Sequence, residues 1–318
     1  MKKSMLRRLW LPMAMAVLTV YAASTAVVAA ADYPDKPITF IVNFGTGGQF
    51  DTVSRAIARP LEKHFGQPVV VRNVTGGGGT VGMTAISRAD PDGYTVGLLA
   101  SGMLTMAPHR MNLAYTIDSF NAFRGLGNVL IGIAVAEDSP FKTLEDLVEV
   151  ARERRVNVSN TGMGGAPTMF VELLNQRYGT QLVSIPAKGG GEGVAAVLGG
   201  HTEAILSNTS IITGGSDLRL LASVSSQRWP NAADVPTAQE QGYDVAVDAF
   251  LAIGGPADVP QEIADAWVEA IEAALEDPDF VQVAERFSMP FIDMSGDEFK
   301  AWAKEAKDDY EPIIKAMD

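Results

Sequence analysis

Short apolar runs alternate along the chain with segments whose apolar residues recur every three or four positions. Residues 38–42 form a β-branched and aromatic run, which predicts a strand. Residues 51–65 place Val53, Ile57 and Leu61 on one face, which predicts a helix. The glycine-rich stretch 43–49 joins the two. The first unit is therefore strand, glycine loop, helix.

The same unit recurs down the chain. The pattern predicts further strands at 69–71, 94–99, 129–136, 156–159, 182–186, 204–207 and 218–224. It predicts helices at 80–89, from 139 through 148, at 167–178 and up to 198. Two tail helices, near 263–275 and 297–317, are expected to pack on the outside of a lobe without a part in any site. Alternating strands and helices indicate an α/β protein with mainly parallel sheets.

The N-terminus has the three-part layout of a secretory signal peptide. Four basic residues precede an apolar run at 9–21, and small residues end at Ala30 and Ala31. A membrane anchor is the alternative, but Pro12 interrupts the run. The chain has no cysteine, so it lacks the thiol that lipid anchoring needs. We expect cleavage after Ala30 or Ala31 and a free periplasmic protein.

The length and net charge of the chain limit the kinds of function that are compatible with it. Removing 31 of 318 residues leaves 287, enough for two lobes. The removed segment holds four basic and no acidic residues, so the net charge of −13 becomes −17. Such a surface repels nucleic acid and anionic lipid. It also has no long-range attraction for a carboxylate, so any anion site must be local.

Five loops between a strand and a helix are rich in Gly, Ser, Thr and Asn. In doubly wound sheets, ligands bind where such loops cluster beyond the carboxyl ends of the strands. The following helices offer free N–H groups and the positive ends of their dipoles. Turn formation alone could explain any single glycine loop. Five together favour a cleft for an anion or another polar ligand.

The motifs for nucleotide-binding, catalytic and metal sites are absent or incomplete in this sequence. Residues 77–82 fit the GxGxxG pattern, but no acidic residue lies between Asp92 and Asp118 to bind a ribose. No P-loop or GxSxG motif occurs, and the three histidines are far apart. We therefore predict no cofactor, no metal site and no catalytic residues. Asp51 opens the first helix, either as its cap or as a cleft residue that orients water or ligand.

Several motifs occur in a characteristic order along the chain: Tyr33-Pro34-Asp35-Lys36-Pro37-Ile38, the loop 42–51, Pro91-Asp92-Gly93-Tyr94-Thr95, Lys188-Gly189-Gly190 and Asp234-Val235-Pro236-Thr237. Together they resemble the substrate-binding proteins of tripartite tricarboxylate transporters, the Bug family. Asn43 and Thr46 stand where the family usually has prolines, and Ala187 replaces an aromatic residue. Gly165 and Thr168 stand where a serine and a histidine are usual.

The resemblance implies a bilobal type II periplasmic-binding fold, with two doubly wound lobes joined by a two-strand hinge. Lobe 1 would comprise residues 32–132 and 249–318, and lobe 2 residues 133–248, after a signal peptide at 1–31. A ligand between the lobes would be held by loop N–H groups, small hydroxyls and waters. From lobe 1 we predict contacts at Phe44, Gly45, Gly48, Asp51, Gly78, Gly79, Thr80 and Ser101. From lobe 2 we predict Ser159, Thr161, Gly164, Thr168, Lys188 and Asn208, with Phe250 as a cleft wall.

The function implied is capture of a small di- or tricarboxylate, or a related organic acid, for a two-subunit membrane transporter. Lys188 could pair with a second carboxylate or remain solvated. We expect a monomer that binds no nucleic acid. The alternatives are a ligand-sensing partner of a sensor kinase and an exported enzyme acting on carboxylates.

Overall fold

The computed structural model describes residues 33–161, 165–187, 190–213, 215 and 217–316. The predicted signal peptide and the candidate residues Gly164 and Lys188 lie outside the described residues. Among the helices that are described, none is long and apolar enough to cross a membrane.

The described chain contains ten strands and ten α-helices. The strands are β1 (Ile38–Val42), β2 (Val69–Asn73), β3 (Thr95–Ala100), β4 (Phe120–Asn128), β5 (Ile131–Ala136), β6 (Val156–Thr161), β7 (Leu182–Ala187), β8 (Ala204–Asn208), β9 (Leu218–Ser223) and β10 (Phe250–Pro256). The helices are α1 (Gln49–Phe65), α2 (Thr80–Ser87), α3 (Gly102–Thr105), α4 (Leu144–Glu153), α5 (Ala166–Tyr178), α6 (Gly190–Leu198), α7 (Thr209–Ile212), α8 (Gln261–Leu275), α9 (Pro278–Arg286) and α10 (Gly296–Lys315).

The strands form two five-stranded sheets with the same plan. Lobe 1 is built on the sheet β2-β1-β3-β10-β4, and lobe 2 on the sheet β7-β6-β8-β5-β9. In each sheet three parallel strands lie beside one antiparallel strand, β10 in lobe 1 and β5 in lobe 2. Strand β5 is the first strand that the chain forms when it enters lobe 2, and β10 is the first that it forms when it returns to lobe 1. The predicted α/β architecture in two lobes is confirmed.

The chain passes between the sheets twice, and the two passages run side by side. The N–H of Val129 donates to the carbonyl of Ala249 at 2.8 Å, and the N–H of Val224 donates to Ile131 at 2.8 Å. The side-chain amide of Asn128 donates to the Asp248 carboxylate at 2.9 Å. These bonds make the two-strand hinge that the fold requires. The proposed limits of the lobes at residues 132 and 249 stay a prediction.

Several sequence predictions differ from the structure. Strands β4 and β10 were not predicted. Polar residues and two glycines break the apolar pattern of β4, and the strand predicted at 129–136 begins at Ile131. Helix α9 was also missed. Helix α10 does not pack on one lobe alone: Phe299 lies in the core of lobe 1, and Ile314 lies in that of lobe 2.

Candidate functional site

The loops after the first three strands of lobe 1 meet at one point. Gly79 follows β2, and a Cβ built on it would lie 3.5 Å from the Phe44 ring, which follows β1. The same atom would lie 3.3 Å from the sulfur of Met103, which follows β3. The carboxyl ends of three parallel strands therefore converge as the sequence predicted, and the backbone at Gly79 fills their centre.

The loop at 76–79 needs glycine at each position for its backbone. All four glycines have positive φ, between 55° and 129°, which L side chains rarely adopt. The Thr80 hydroxyl donates to the Gly77 carbonyl at 2.9 Å, and the N–H of Gly79 donates to Gly76 at 2.9 Å. Thr80 and Gly79 are thus engaged in closing their own loop, while Gly78 is exposed.

Asp51 holds the first loop from inside helix α1. Gly48, not Asp51, is the N-cap residue, so the helix-cap interpretation is wrong. One Asp51 oxygen accepts from the N–H of Gly47 at 2.9 Å, and the other accepts from the Asn73 amide and the Arg55 guanidinium, each at 2.9 Å. Burial acts to raise the pKa of this carboxyl, but its hydrogen bonds and the charge of Arg55 outweigh burial and lower the pKa.

Two asparagines that the sequence did not single out as site residues support the same loop. Asn73, the last residue of β2, also donates to the Phe44 carbonyl at 2.9 Å. Asn43 is 1% exposed, and its amide donates to the Leu98 carbonyl at 2.8 Å, which ties the end of β1 to β3. The Phe44 ring stacks on Phe50 at 4.2 Å. Asn43 and Asn73 each stand at the end of a strand, and this position is the sequence signal that could have identified them as site residues.

Ser101 and Phe250 lie where β3 meets the second passage between lobes. The N–H of Ser101 donates to the Phe250 carbonyl at 3.0 Å. The Phe250 ring packs edge to face against Trp302 of α10, with centroids 4.6 Å apart. Phe250 is therefore beside the crossing, and its ring is in contact with the lobe 1 core.

The described candidates of lobe 2 lie at the equivalent edge of the second sheet. Ser159 and Thr161 are in β6, Asn208 ends β8, and Thr168 is in the first turn of α5. Strands β6 and β8 are parallel neighbours, so these positions share one sheet edge. Ser159 is 1% exposed, and a Cβ on Gly193 would lie 3.0 Å from its hydroxyl, so its side chain faces α6.

The two sheet edges face the junction between the lobes. In lobe 1, the end of β3 pairs with the start of β10, and in lobe 2 the end of β8 pairs with the start of β5. Both sets of carboxyl ends are thus next to the hinge. The Thr209 hydroxyl, immediately after Asn208, donates across the junction to the carbonyl of Phe287 in lobe 1. The sequence did not indicate this contact.

A separate cavity of about 590 Å³ lies behind this region, between α10 and lobe 2. Trp302, Ala306 and Tyr310 form one wall, and Leu173, Ala246 and Asp248 contribute to the other. Burial and the nearby carboxylates of Asp248 and Asp309 raise the pKa of Tyr310 to about 12. No predicted site residue is among those that line it. Over the described chain, no group of three or more His, Asp or Glu side chains is placed to hold a metal ion.

Comparison with known proteins agrees with this architecture. One solved structure, a TctC solute-binding protein from Polaromonas, is 27% identical and superposes with a TM-score of 0.76, over 89% of this chain and 99% of that one. MatC from Rhodopseudomonas palustris, solved with bound malate, is 24% identical with a TM-score of 0.77, over 89% of this chain and 100% of its own. The second comparison shows the shared fold alone.

Sequence comparison identifies the family. The "UPF0065 protein in the TAR-I ttuE-ttuC' intergenic region" of Agrobacterium vitis is 33% identical over 263 residues, which are 80% of this chain and 75% of that protein. Residues 53–318 match the model for the tripartite tricarboxylate transporter family receptor. The matched region includes strands of both sheets and both passages between them. This chain therefore belongs to the tripartite tricarboxylate transporter receptor family.

Proposed function

We propose that this protein captures a small carboxylate between its two lobes in the periplasm and presents it to a two-subunit membrane transporter. The observation that carries the proposal is the placement of both sheet edges at the hinge, where the glycine loops of lobe 1 lie beside the strand ends and helix starts of lobe 2. A ligand held there would contact both lobes, so it would favour the state in which they close around it.

The chemistry of the loops suits an anion held by backbone groups. Exposed Gly45, Gly48 and Gly78 allow a ligand to approach the main chain without a side chain in the way. N–H groups at helix starts favour negative charge by about 0.3–1 kcal/mol each at exposed sites, so several must act together. A carboxylate with a second polar group at its far end would engage both sheet edges.

The binding test uses refolded, ligand-free protein and titration calorimetry. Malate is the first probe because a protein of the same fold has been solved with it, and adipate, citrate and glutamate follow. Binding to the native state alone also raises the melting temperature. Binding of at least one carboxylate with one-to-one stoichiometry supports the proposal, and a flat response to all four probes counts against it.

Two matched variants locate the site. Gly78 and Gly179 are both exposed, with φ of 67° and 69°, and nothing lies within 4 Å of a Cβ built on either. Gly78→Asp places a negative charge at the proposed site, and we expect it to weaken carboxylate binding about tenfold or more. Gly179→Asp puts the same change in a turn at the end of α5. Equal affinity of both variants would move the site away from the lobe 1 loops.

A further inference from the structure

Helix α10 is anchored in the core of lobe 1 along its first half. Phe299 and Ala303 are fully buried there, beside residues from β1, β3, β4 and β10. Gly296 lies so close to the backbone of Ala122 that a Cβ would overlap it. The carbonyl of Lys307 is 2.8 Å from the ring nitrogen of His109, another lobe 1 residue. This half of the helix therefore moves with lobe 1.

The end of the same helix is anchored in lobe 2. Ile314 is 2% exposed within the lobe 2 core, and Tyr310 and Ile313 pack against that core. The side-chain amide of Gln176, on α5, donates to the carbonyl of Ile313 at 3.1 Å. Hence α10 also connects the two lobes physically, in addition to the two strands of the hinge.

The attachment to lobe 2 is confined to the end of the helix. From Trp302 to Ile313, one face of α10 borders the cavity of about 590 Å³, and its last turns, from Tyr310 onward, pack on the lobe 2 core. Pro312 lies inside the last turns, and a proline removes one backbone hydrogen bond from a helix. The final turn keeps its own closing bonds, from the N–H of Ala316 to the carbonyls of Pro312 and Ile313, and it places Ile314 in the lobe 2 core.

The lobe 2 element that this turn contacts is also the one that reaches the site. Helix α5 starts at Ala166, directly after the loop that follows β6, and Thr168 is in its first turn. Gln176 is eight residues further along the same helix. Because an α-helix is rigid over this length, a shift at Gln176 displaces the first turn as well.

A second contact links the other side of the site to the same core. Met106 follows α3, five residues after Ser101, and its side chain is 2% exposed within the lobe 2 core. Two lobe 1 segments therefore insert apolar side chains beneath the site, one from the β3 loop and one from α10.

We propose that the last turn of α10, through Ile314, positions α5 and so sets the separation of the two halves of the binding site. Ile314 is a positioning residue, remote from any ligand contact. The inference rests on the proposed function for what binds between the lobes, but the lobe separation is measured without ligand.

The experiment is a distance measurement between spin labels in the purified, ligand-free protein. The chain has no cysteine, so Lys63→Cys on α1 and Glu149→Cys on α4 provide one exposed label in each lobe. Pulsed electron resonance then gives the distribution of distances between the lobes. Ile314→Ala is compared with Leu147→Ala as a control. Leu147 is fully buried in the same core but belongs to α4, so its truncation leaves a cavity away from α10.

With Ile314→Ala, we expect the fraction of molecules at the parent distance to fall by about half or more, as a second population appears. Leu147→Ala should lower the melting temperature but keep the parent distribution. An unchanged distribution for folded Ile314→Ala would overturn the inference, as would an equal change in both variants. If Ile314→Ala does not fold, Gln176→Ala tests the same contact from the exposed side, and an unchanged distribution there overturns the inference too.

Because no ligand is present, these outcomes are independent of the calorimetric test. A protein that binds no carboxylate could still show the positioning effect, and a carboxylate-binding protein could lack it.

Discussion

At the scale of single residues, buried and half-buried polar groups near the site hold loops in place. Asp51, Asn73 and Asn43 use their side chains on main-chain or side-chain partners of lobe 1. In the proposed function, a ligand would contact the backbone that these residues position. Changes at such residues should affect stability and binding together, because the loop geometry depends on them.

Replacing Asp51 with asparagine should destabilise the protein. The amide keeps the shape, but its NH2 group replaces an oxygen that accepts at least one hydrogen bond, so two donors face each other, and an unpaired buried polar group costs about 1–3 kcal/mol. Urea unfolding at neutral pH measures the loss. Asp308→Asn, at an exposed position on α10, is the control and should change stability little. Equal stability of the two variants would show that the Asp51 network contributes nothing.

The same variant predicts a pH dependence. The pKa of Asp51 is lowered in the folded protein, so its carboxylate stabilises the fold at pH values above the unfolded pKa of about 3.9. This contribution is lost as the pH falls through the folded pKa. The stability difference between the parent and Asp51→Asn should therefore narrow below about pH 4. A difference that widens on acidification would contradict the assigned direction.

Gly79→Ala tests the point where the three loops converge. Its φ of 109° is costly for alanine, by about 1–2 kcal/mol, and the new methyl group would press on Met103 and Phe44. We expect lower stability and at least a several-fold loss of carboxylate affinity. Gly66→Ala is the control, because Gly66 also has a positive φ, of 65°, but nothing lies within 4 Å of a Cβ built there. Parent-like binding by Gly79→Ala would exclude this loop from the site.

At the scale of elements, the two ends of α10 have different tasks. Its start lies in lobe 1 and is closed by a capping box, in which the Ser295 hydroxyl accepts from the N–H of Glu298 and the Glu298 carboxylate accepts from the N–H of Ser295. Its end reaches lobe 2. A defect at the start should therefore weaken the helix, whereas a defect at the end should change how the lobes are arranged.

Ser295→Ala should cost about 1 kcal/mol, the usual value for loss of an N-cap. For a protein of this size, the melting temperature should fall by about 2–4 °C, which calorimetry can measure. The inter-lobe distances should match those of the parent. A second distance population in this variant would mean that any weakening of α10 moves the lobes, and the role assigned to Ile314 would lose its specificity.

At the scale of the whole molecule, the negative net charge of the protein repels a carboxylate ligand. The full chain has a net charge of −13, and the lobe 1 site is built from neutral loops and the paired carboxylate of Asp51. The long-range field therefore repels an approaching carboxylate, and the attraction is confined to the loops. Affinity should depend on local dipoles, while the rate of encounter should depend on salt.

The association rate constant of the bound carboxylate should therefore rise when NaCl increases from about 10 mM to about 150 mM, because salt screens repulsion beyond about 10 Å. Stopped-flow measurement of tryptophan fluorescence would follow the reaction, and a neutral solute at equal osmolarity is the control. A rate that falls with salt would reveal a positive field at the cleft mouth.

The site was only partly readable from the chain. The glycine loops and strand ends were visible because glycine runs after apolar segments mark strand-to-helix turns. The partners of Asp51 were not, since Asn73 is 22 residues away and joins it through the pairing of β1 with β2. The contact of Thr209 with Phe287 spans 78 residues and two lobes.

The sequence by itself determined the repeated strand and helix units, their α/β class and the family, because apolar periodicity and ordered motifs are local properties. Strand β4 was not predicted from the sequence, because its pairing with β10 makes it a strand and its own residue pattern does not. The tertiary structure alone decided that the strand ends of both sheets meet at the hinge. It also decided that one terminal helix enters two cores, because burial of Ile314 depends on residues far from it in the chain.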